Sequence, residues 1–368
     1  MRTILEFVYY LFDGGAETLV KQYCLMLDKR EFCPIVLTIY PNYSSAVYKT
    51  LLKNNIKIYH IYPKRNSFFR LINKLFGKFY FPFRLRKIIR EENVKAIHCH
   101  TAVLRYINYA KKTLDGMKLI YTCRSTPERY FFGKVKKEYI VASDLITNYN
   151  LQMVALHDNM KQEVDRLFNI NNTVVIKNGI DLSRYRNIKV SRDYIRKSLS
   201  IPQNAFVLGH VGRFFEPKNH EFLSKIFIEL KEVKKNAFLL MIGEGILREH
   251  IEKLLKENGF ENDYLILSNR TDIPELLKAM DVFVFPSKVE GFGIALLEAQ
   301  AVGLKCICST EIPDAACVSN LVTKLSLNSD IKTWCKAILS DVPSNINLSL
   351  INDFDMRNEI KKLESLYR

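Results

Sequence analysis

Two glutamates eight residues apart, Glu290 and Glu298, bracket a glycine-bearing loop in the stretch PSKVEGFGIALLEAQAVG. Ile294 to Val302 is rich in helix formers and Gly303 is a natural stop, so the loop feeds a helix N-terminus. Unpaired N–H groups and the positive end of the helix dipole favour an anion there, most simply a phosphate. Gly291 and Gly293 let the amides around Phe292, Ile294 and Ala295 approach it closely. A carboxylate beside a phosphate does not neutralise it. Its better use is to accept hydrogen bonds from hydroxyls, which sugars and ribose present in pairs. A surface glutamate plus a helix-capping glutamate would share this spacing. Upstream, Arg213 and Lys218 flank a loop in GRFFEPKNHEF. Two cations five apart can clamp a diphosphate, arginine through its fork and lysine as a point charge; solvated surface charges are the alternative.

The elements around these residues read as strands and helices in alternation. Val282 to Phe285 is a short, continuous apolar run suited to a strand buried on both faces, and Leu304 to Cys308 reads as the next strand. Phe206 to Val211, Phe238 to Ile242 and Tyr264 to Leu267 are further strands, the second ending in Gly243, Glu244 and Gly245. In the first half, Thr3 to Tyr9 precedes Gly14 and Gly15, a glycine pair that again admits a phosphate or sugar before a helix from about Thr18. Val94 to His100 is a strand with His98 and His100 on one face. His98 is expected to be packed. His100 sits at the strand exit near substrate, or is a satisfied histidine there; a metal site lacks a third ligand nearby in sequence. Lys118 to Cys123 is a strand followed by Arg124. Leu145 to Asn148 reads as a short strand and Met153 to Leu167 as a helix. Asn178-Gly179-Ile180-Asp181 is a turn signal that sets a domain boundary. The expected division is 1–177, 178–350 and a tail helix over 351–368 that crosses back to the first domain. The class is α/β with parallel sheets.

Bulk properties narrow the partners. A formal charge of +16 on 368 residues points to an acidic partner: nucleic acid, an anionic membrane or a phosphorylated substrate. No zinc-finger spacing or RNA-recognition signature occurs, so nucleic acid is not expected. The eight cysteines form no CxxC pair, which argues against zinc or a disulfide framework and fits a reducing cytoplasm. No run of eighteen apolar residues suggests a membrane span, and the N-terminal run reads as a first strand rather than a signal peptide. Residues 63–90, PKRNSFFRLINKLFGKFYFPFRLRKIIR, carry nine Lys/Arg and no acid, interleaved with aromatic and aliphatic side chains. Arg70, Lys74, Lys78 and Arg84 on such a stretch suit a helix lying in an anionic lipid interface. A core helix with a solvated basic face is the other reading.

The run PSKVEGFGIALLEAQAVG resembles the E-x7-E motif of retaining glycosyltransferases of the two-Rossmann-domain (GT-B) type, family 4 / glycosyl transferases group 1. Further matches are GGAE after the first strand, NGID, and the GR-x4-K element Arg213…Lys218. The downstream STEIPDAACVSN and LVTKLSL are similar to bacterial exopolysaccharide and capsule enzymes. The resemblance implies two Rossmann-like domains facing each other across a cleft, and a nucleotide-sugar donor, UDP-sugar first, with no metal or other cofactor. It implies that Glu290 contacts the donor sugar, Glu298 the ribose, Arg213 and Lys218 the leaving diphosphate, and His100 the reacting sugar. Gly14, Gly15, Gly243 and Gly291 to Ala295 would line the donor. Where the family commonly has a histidine, this chain has Arg124. The acceptor is expected to be a lipid-linked saccharide and the location cytoplasmic, peripheral on the inner membrane face. A nucleotide-sugar epimerase or hydrolase of the same fold, and a non-catalytic basic nucleic-acid binder, are the competing readings.

Overall fold

The computed structural model describes residues 1–100, 102–114, 116–132 and 136–368. The chain divides into two compact units, Met1–Asn178 with Arg357–Arg368, and Gly179–Met356.

The first unit is built on a parallel seven-stranded sheet. Its strands are β1 (Arg2–Val8), β2 (Phe32–Thr38), β3 (Ile58–His60), β4 (Val94–His100), β5 (Lys118–Thr122), β6 (Gln152–Ala155) and β7 (Val174–Val175). The spatial order is β3-β2-β1-β4-β5-β6-β7. Ile4, Leu5, Phe7, Ile97 and Cys99 are fully buried, as strands covered by helices on both faces require. The chain order reverses between β1 and β4. In open α/β sheets the crevice outside the strand ends at such a point is where ligands bind.

The second unit repeats the plan with β8 (Phe206–Val211), β9 (Ala237–Ile242), β10 (Tyr264–Leu267), β11 (Val282–Phe285), β12 (Lys305–Ser309) and β13 (Val322–Leu325). Their order is β10-β9-β8-β11-β12-β13, all parallel, with the reversal between β8 and β11. Leu208, Phe227, Leu239, Val284, Ile307 and Trp334 form its core. Each such side chain, fully removed from water, contributes roughly 1.5–3 kcal/mol before the entropy of ordering is set against it.

Two sequence expectations are corrected. Leu145 to Asn148 is not a strand but part of the helix Lys136–Tyr149, and Met153 belongs to β6, with the following helix confined to Asp158–Phe168. Leu145 and Ala142 are buried one helical turn apart, so the apolar pair at 145–146 is part of a helix face. The C-terminal helix Met356–Tyr367 carries Tyr367, buried against His98 of β4, and Glu364, which accepts from the Asp28 amide.

The basic aromatic stretch is a single 26-residue helix, Ser67–Glu92, started by the Asn66 side chain accepting from the Phe69 amide. Its inward face is set by Gly77, Phe81, Leu85 and Ile88, at spacings of four, four and three. Asn73, on the same side, donates to the Tyr106 and Tyr40 hydroxyls. Phe68, Leu71, Leu75, Phe76, Phe79 and Phe83 are all exposed, Phe79 by 77%. At 100° per residue these six form a stripe on the side opposite the buried one. The aromatic residues therefore do not crowd one core face; the helix has two apolar faces and only one is covered.

Candidate functional site

In the second unit the sequence-predicted residues gather at the β8/β11 reversal. Arg213 and Lys218 lie in the loop after β8, and Glu290 in the loop after β11, whose strands are direct neighbours. The two loops are tied together. Lys218 Nζ is ion-paired to Glu290 Oε1. Lys288 Nζ meets Glu216 at 2.7 Å, the Lys288 amide donates to the Pro217 carbonyl at 2.8 Å, and Asn219 Nδ2 donates to the Pro286 carbonyl at 3.1 Å. Lys218 also sits over the Phe285 ring at 5.0 Å, and Arg213 over Phe215 at 5.3 Å. Lys218 and Glu290 are largely covered, with side chains 22% and 12% exposed, so the contact is far less screened than a surface pair.

Behind Lys218, His220 stacks on Phe214 at 4.0 Å and meets His210 at 4.7 Å. Burial holds His210 down to about 4 and His220 to about 2, so both are neutral at pH 7 and the positive charge of this wall is that of Arg213 and Lys218. Gly243 is required here for a local reason. A Cβ on it would meet the Gly212 carbonyl oxygen at 2.0 Å, so the loop after β9 packs directly beneath the Arg213 loop. Ser268 fastens the same loop by donating to the Gly243 carbonyl at 3.1 Å.

The helix Ile294–Ala301 begins at Gly293, whose φ of +99° is a conformation that favours glycine. The geometry of a helix start leaves the amides of Ile294 and Ala295 without intrahelical acceptors. Phe292 is turned away into the core against Phe354, so its backbone and not its ring is available to a ligand. Glu298 lies on this helix, 8% exposed, and accepts from the hydroxyl of Tyr185, a residue of the helix Leu182–Arg186. Tyr185 escaped the sequence reading. It stands 113 residues from its partner, and nothing in the spacing of its own segment points to that partner.

In the first unit, Gly14 and Gly15 begin the helix Gly15–Met26 next to the β1/β4 reversal. Asp13 before them accepts from Ser45 Oγ at 2.7 Å and from the Val47 amide at 3.0 Å, capping the next helix. The expectation that His100 faces substrate at the strand exit is corrected. Its side chain is fully buried, with Nε2 2.6 Å from Glu6 Oε2 and Nδ1 3.0 Å from Arg124 Nη2. An arginine only donates, so Nδ1 accepts and the ring proton sits on Nε2, pointing at Glu6. Arg124, two residues beyond the end of β5, is half-buried beside the His100 ring.

Glu6, His98 and His100 have ligand atoms within 4.8 Å of one another, so β1 brings the third metal-type ligand that the local sequence lacked. Their hydrogen bonds favour another reading. His98 Nδ1 meets the Tyr367 hydroxyl and Nε2 meets Thr122 Oγ1, each at 2.7 Å, and Tyr367 is also 2.6 Å from Glu6 Oε1. With the Arg124 guanidinium beside His100, a cation would be repelled. Burial pushes Glu6 up to about 8 and both histidines well below their ordinary range, so the cluster is a neutral hydrogen-bonded network at pH 7.

On the basic helix, Arg70, Lys74 and Lys78 are exposed at i, i+4 and i+8; at 100° per residue Lys78 flanks the apolar stripe, while Arg70 and Lys74 share the angular sector of the inward face. Arg84 does not join them; it is half-buried on the inward side with its Nε covered.

Comparison with known proteins agrees with this architecture. Among solved structures, an Anabaena protein, Alr3699/HepE, captured with UDP and glucose, superposes with a TM-score of 0.74 at 18% identity, covering 99% of both chains. WaaG, a glycosyltransferase involved in lipopolysaccharide biosynthesis, gives 0.70 at 16% identity, covering 99% of this chain and 96% of its own. The two parallel-sheet units thus define a GT-B glycosyltransferase fold. The family model for Glycosyltransferase Family 4 matches residues 13–184 and that for Glycosyl transferases group 1 matches residues 191–330. The chain belongs to this glycosyltransferase family. Among curated relatives, UDP-Gal:alpha-D-GlcNAc-diphosphoundecaprenol alpha-1,3-galactosyltransferase of Escherichia coli is 25% identical over 77% of each chain. The capsular polysaccharide biosynthesis glycosyltransferase CapH of Staphylococcus aureus is 24% identical over 79% of this chain and 81% of its own.

Proposed function

We propose that the chain is a retaining, metal-independent glycosyltransferase that moves a sugar from a UDP-sugar to a lipid-linked saccharide during bacterial surface polysaccharide synthesis. The acceptor carries its lipid through a diphosphate, the form named for the Escherichia coli relative. The observation that carries the reading is the meeting of Lys218, Glu290 and the start of the helix Ile294–Ala301 beside the β8/β11 reversal. Arg213, Lys218 and the first-turn amides balance the charge that grows on the diphosphate as the glycosidic bond breaks. Glu290 and Glu298 accept hydrogen bonds from the donor-sugar and ribose hydroxyls, and Tyr185 holds Glu298 in place. Gly14, Gly15, Gly243 and Gly291 supply close backbone approach. Cations and amides perform the neutralisation that a metal ion performs elsewhere. The test is incubation with a panel of nucleotide sugars and membrane extract, following label into lipid; no transfer from any UDP-sugar would overturn the choice of donor.

We further propose that the enzyme works on an anionic membrane surface through the helix Ser67–Glu92. No helix among the described residues is long and apolar enough to cross a membrane. The support is the uncovered stripe Phe68–Phe83, with Lys78 flanking it and Arg70 and Lys74 exposed on the same helix. Such a surface gains from apolar insertion and from about 1 kcal/mol per basic residue near anionic lipid. Flotation with vesicles containing phosphatidylglycerol checks it. Glu at 70, 74 and 78 together is expected to reduce bound protein at least tenfold, and unchanged flotation would remove the helix as the anchor.

A further inference from the structure

The mouth of the first sheet holds a cation whose partners are all neutral. Arg124 follows β5 by two residues. Its Nη1 donates to Asn178 Oδ1 at 3.0 Å and its Nη2 to His100 Nδ1 at 3.0 Å. Its Cζ lies 5.6 Å from the centre of the Tyr23 ring. Among the described residues no carboxylate is within ion-pair distance of it. The acid one step back, Glu6, is screened by the His100 ring and carries its proton at neutral pH, because burial pushes it up to about 8. A half-buried charge without a counter-ion is costly, and protein cations held this way are normally paired. Two props on the fork, an amide oxygen and an imidazole nitrogen, fix its plane without neutralising it. That is the preparation a guanidinium needs to take an oxyanion from solution.

We propose that Arg124 is a preset receptor for a phosphate-type oxyanion of a substrate, oriented by Asn178, His100 and Tyr23. The inference rests on the reading above, in which both the sugar donor and the lipid-linked acceptor carry a diphosphate. The shared chemistry is a phosphate oxygen pair meeting a planar fork. Glu6 and His100 then act as positioning residues, through Arg124.

The experiment is a calorimetric titration at constant ionic strength of wild type, Arg124→Gln and Arg124→Lys, first with UDP and then, in UDP-saturated protein, with inorganic pyrophosphate. If the oxyanion is the acceptor's, UDP affinity stays within twofold while pyrophosphate affinity falls at least tenfold in Arg124→Gln. If it is the donor's, UDP affinity itself falls at least tenfold. Either result supports the receptor. Arg124→Lys keeps the charge but not the fork and is expected to lose at least threefold on the same ligand, which keeps the test alive should the glutamine variant fail to fold. Affinities for both ligands within twofold of wild type in a folded variant would overturn it, as would a fall in unfolding temperature with no change in binding. A wild type that binds no UDP at all would sink the donor reading instead; pyrophosphate titration of the UDP-free protein would still report on Arg124.

Discussion

Glu290→Gln is expected to bind UDP three- to tenfold more tightly than wild type and yet to transfer sugar at least a hundredfold more slowly. The two signs follow from the same contact. Without donor, Lys218 is neutralised by the Glu290 carboxylate, so a diphosphate must compete for that ammonium. Replacing the carboxylate by an amide of the same shape frees Lys218 for UDP, which carries no sugar for Glu290 to hold. With a full sugar nucleotide the loss dominates, because the carboxylate proposed to orient the donor sugar is gone. Lys218→Ala moves both quantities the same way. UDP affinity falls, and kcat/KM drops by about 10²–10³, the range for removing one group that stabilises developing charge. Glu290 is then left largely covered without its partner, so the variant also loses stability, on the order of 1–3 kcal/mol once partial exposure is allowed for. Calorimetry with UDP and initial rates with the preferred UDP-sugar check both variants. A Glu290→Gln protein that binds UDP more weakly than wild type would show that the pair is not a competitor for the diphosphate.

Between about pH 5 and pH 8 wild-type protein is expected to lose stability relative to Glu6→Gln. This comes on top of a gain with rising pH below about 6.5 that both share, because their buried histidines stay neutral while those of the unfolded chain are protonated there. Glu6 is fully buried, and its folded-state value lies near 8 against an ordinary 4.5. Below 4.5 both folded and unfolded chains hold the proton, and the stabilisation is complete. Between the two values the unfolded chain releases it while the folded chain keeps it, so rising pH favours unfolding. Above about 8 both are ionised and the loss levels off, at several kcal/mol by the usual 1.36 kcal/mol per pH unit. A glutamine is neutral like the protonated carboxyl: its oxygen accepts from His100 Nε2, and its NH2 donates to Tyr367 once that hydroxyl turns its proton from position 6 to His98 Nδ1. Unfolding temperatures should therefore be similar at pH 5 and roughly 5–10 °C higher for the variant at pH 9. Parallel pH curves for the two proteins would show that Glu6 is ionised in the fold at neutral pH.

What could be read from the chain follows the range of the interactions. The 281–309 unit was legible because a four-residue apolar run, two glycines, a helix-forming segment and a stop glycine are contiguous, and each is a local preference. The 145–155 region was misread because a short apolar pair on a helix face and a short buried strand share one pattern, and only packing separates them. The long helix was legible as basic and aromatic, but not that its two apolar faces lie on opposite sides. The Glu6–His100 and Tyr185–Glu298 contacts join residues 94 and 113 positions apart, and no spacing rule reaches that far. They appear only once parallel strands and crossover helices have brought distant segments together within each unit. The same distance explains why a third metal-type ligand went unseen and why His100, placed at a strand exit by its position, proves to be the inner member of a network that ends in Arg124.

The measurement that bears most directly on the account is the anomeric configuration of sugar released or transferred from a UDP-α-sugar, followed by proton NMR in buffer containing EDTA. Retention of the α configuration with an undiminished rate is the predicted result. A β product, or activity that disappears with the chelator and returns with a divalent cation, would contradict a mechanism in which Arg213, Lys218 and backbone amides alone draw the diphosphate away.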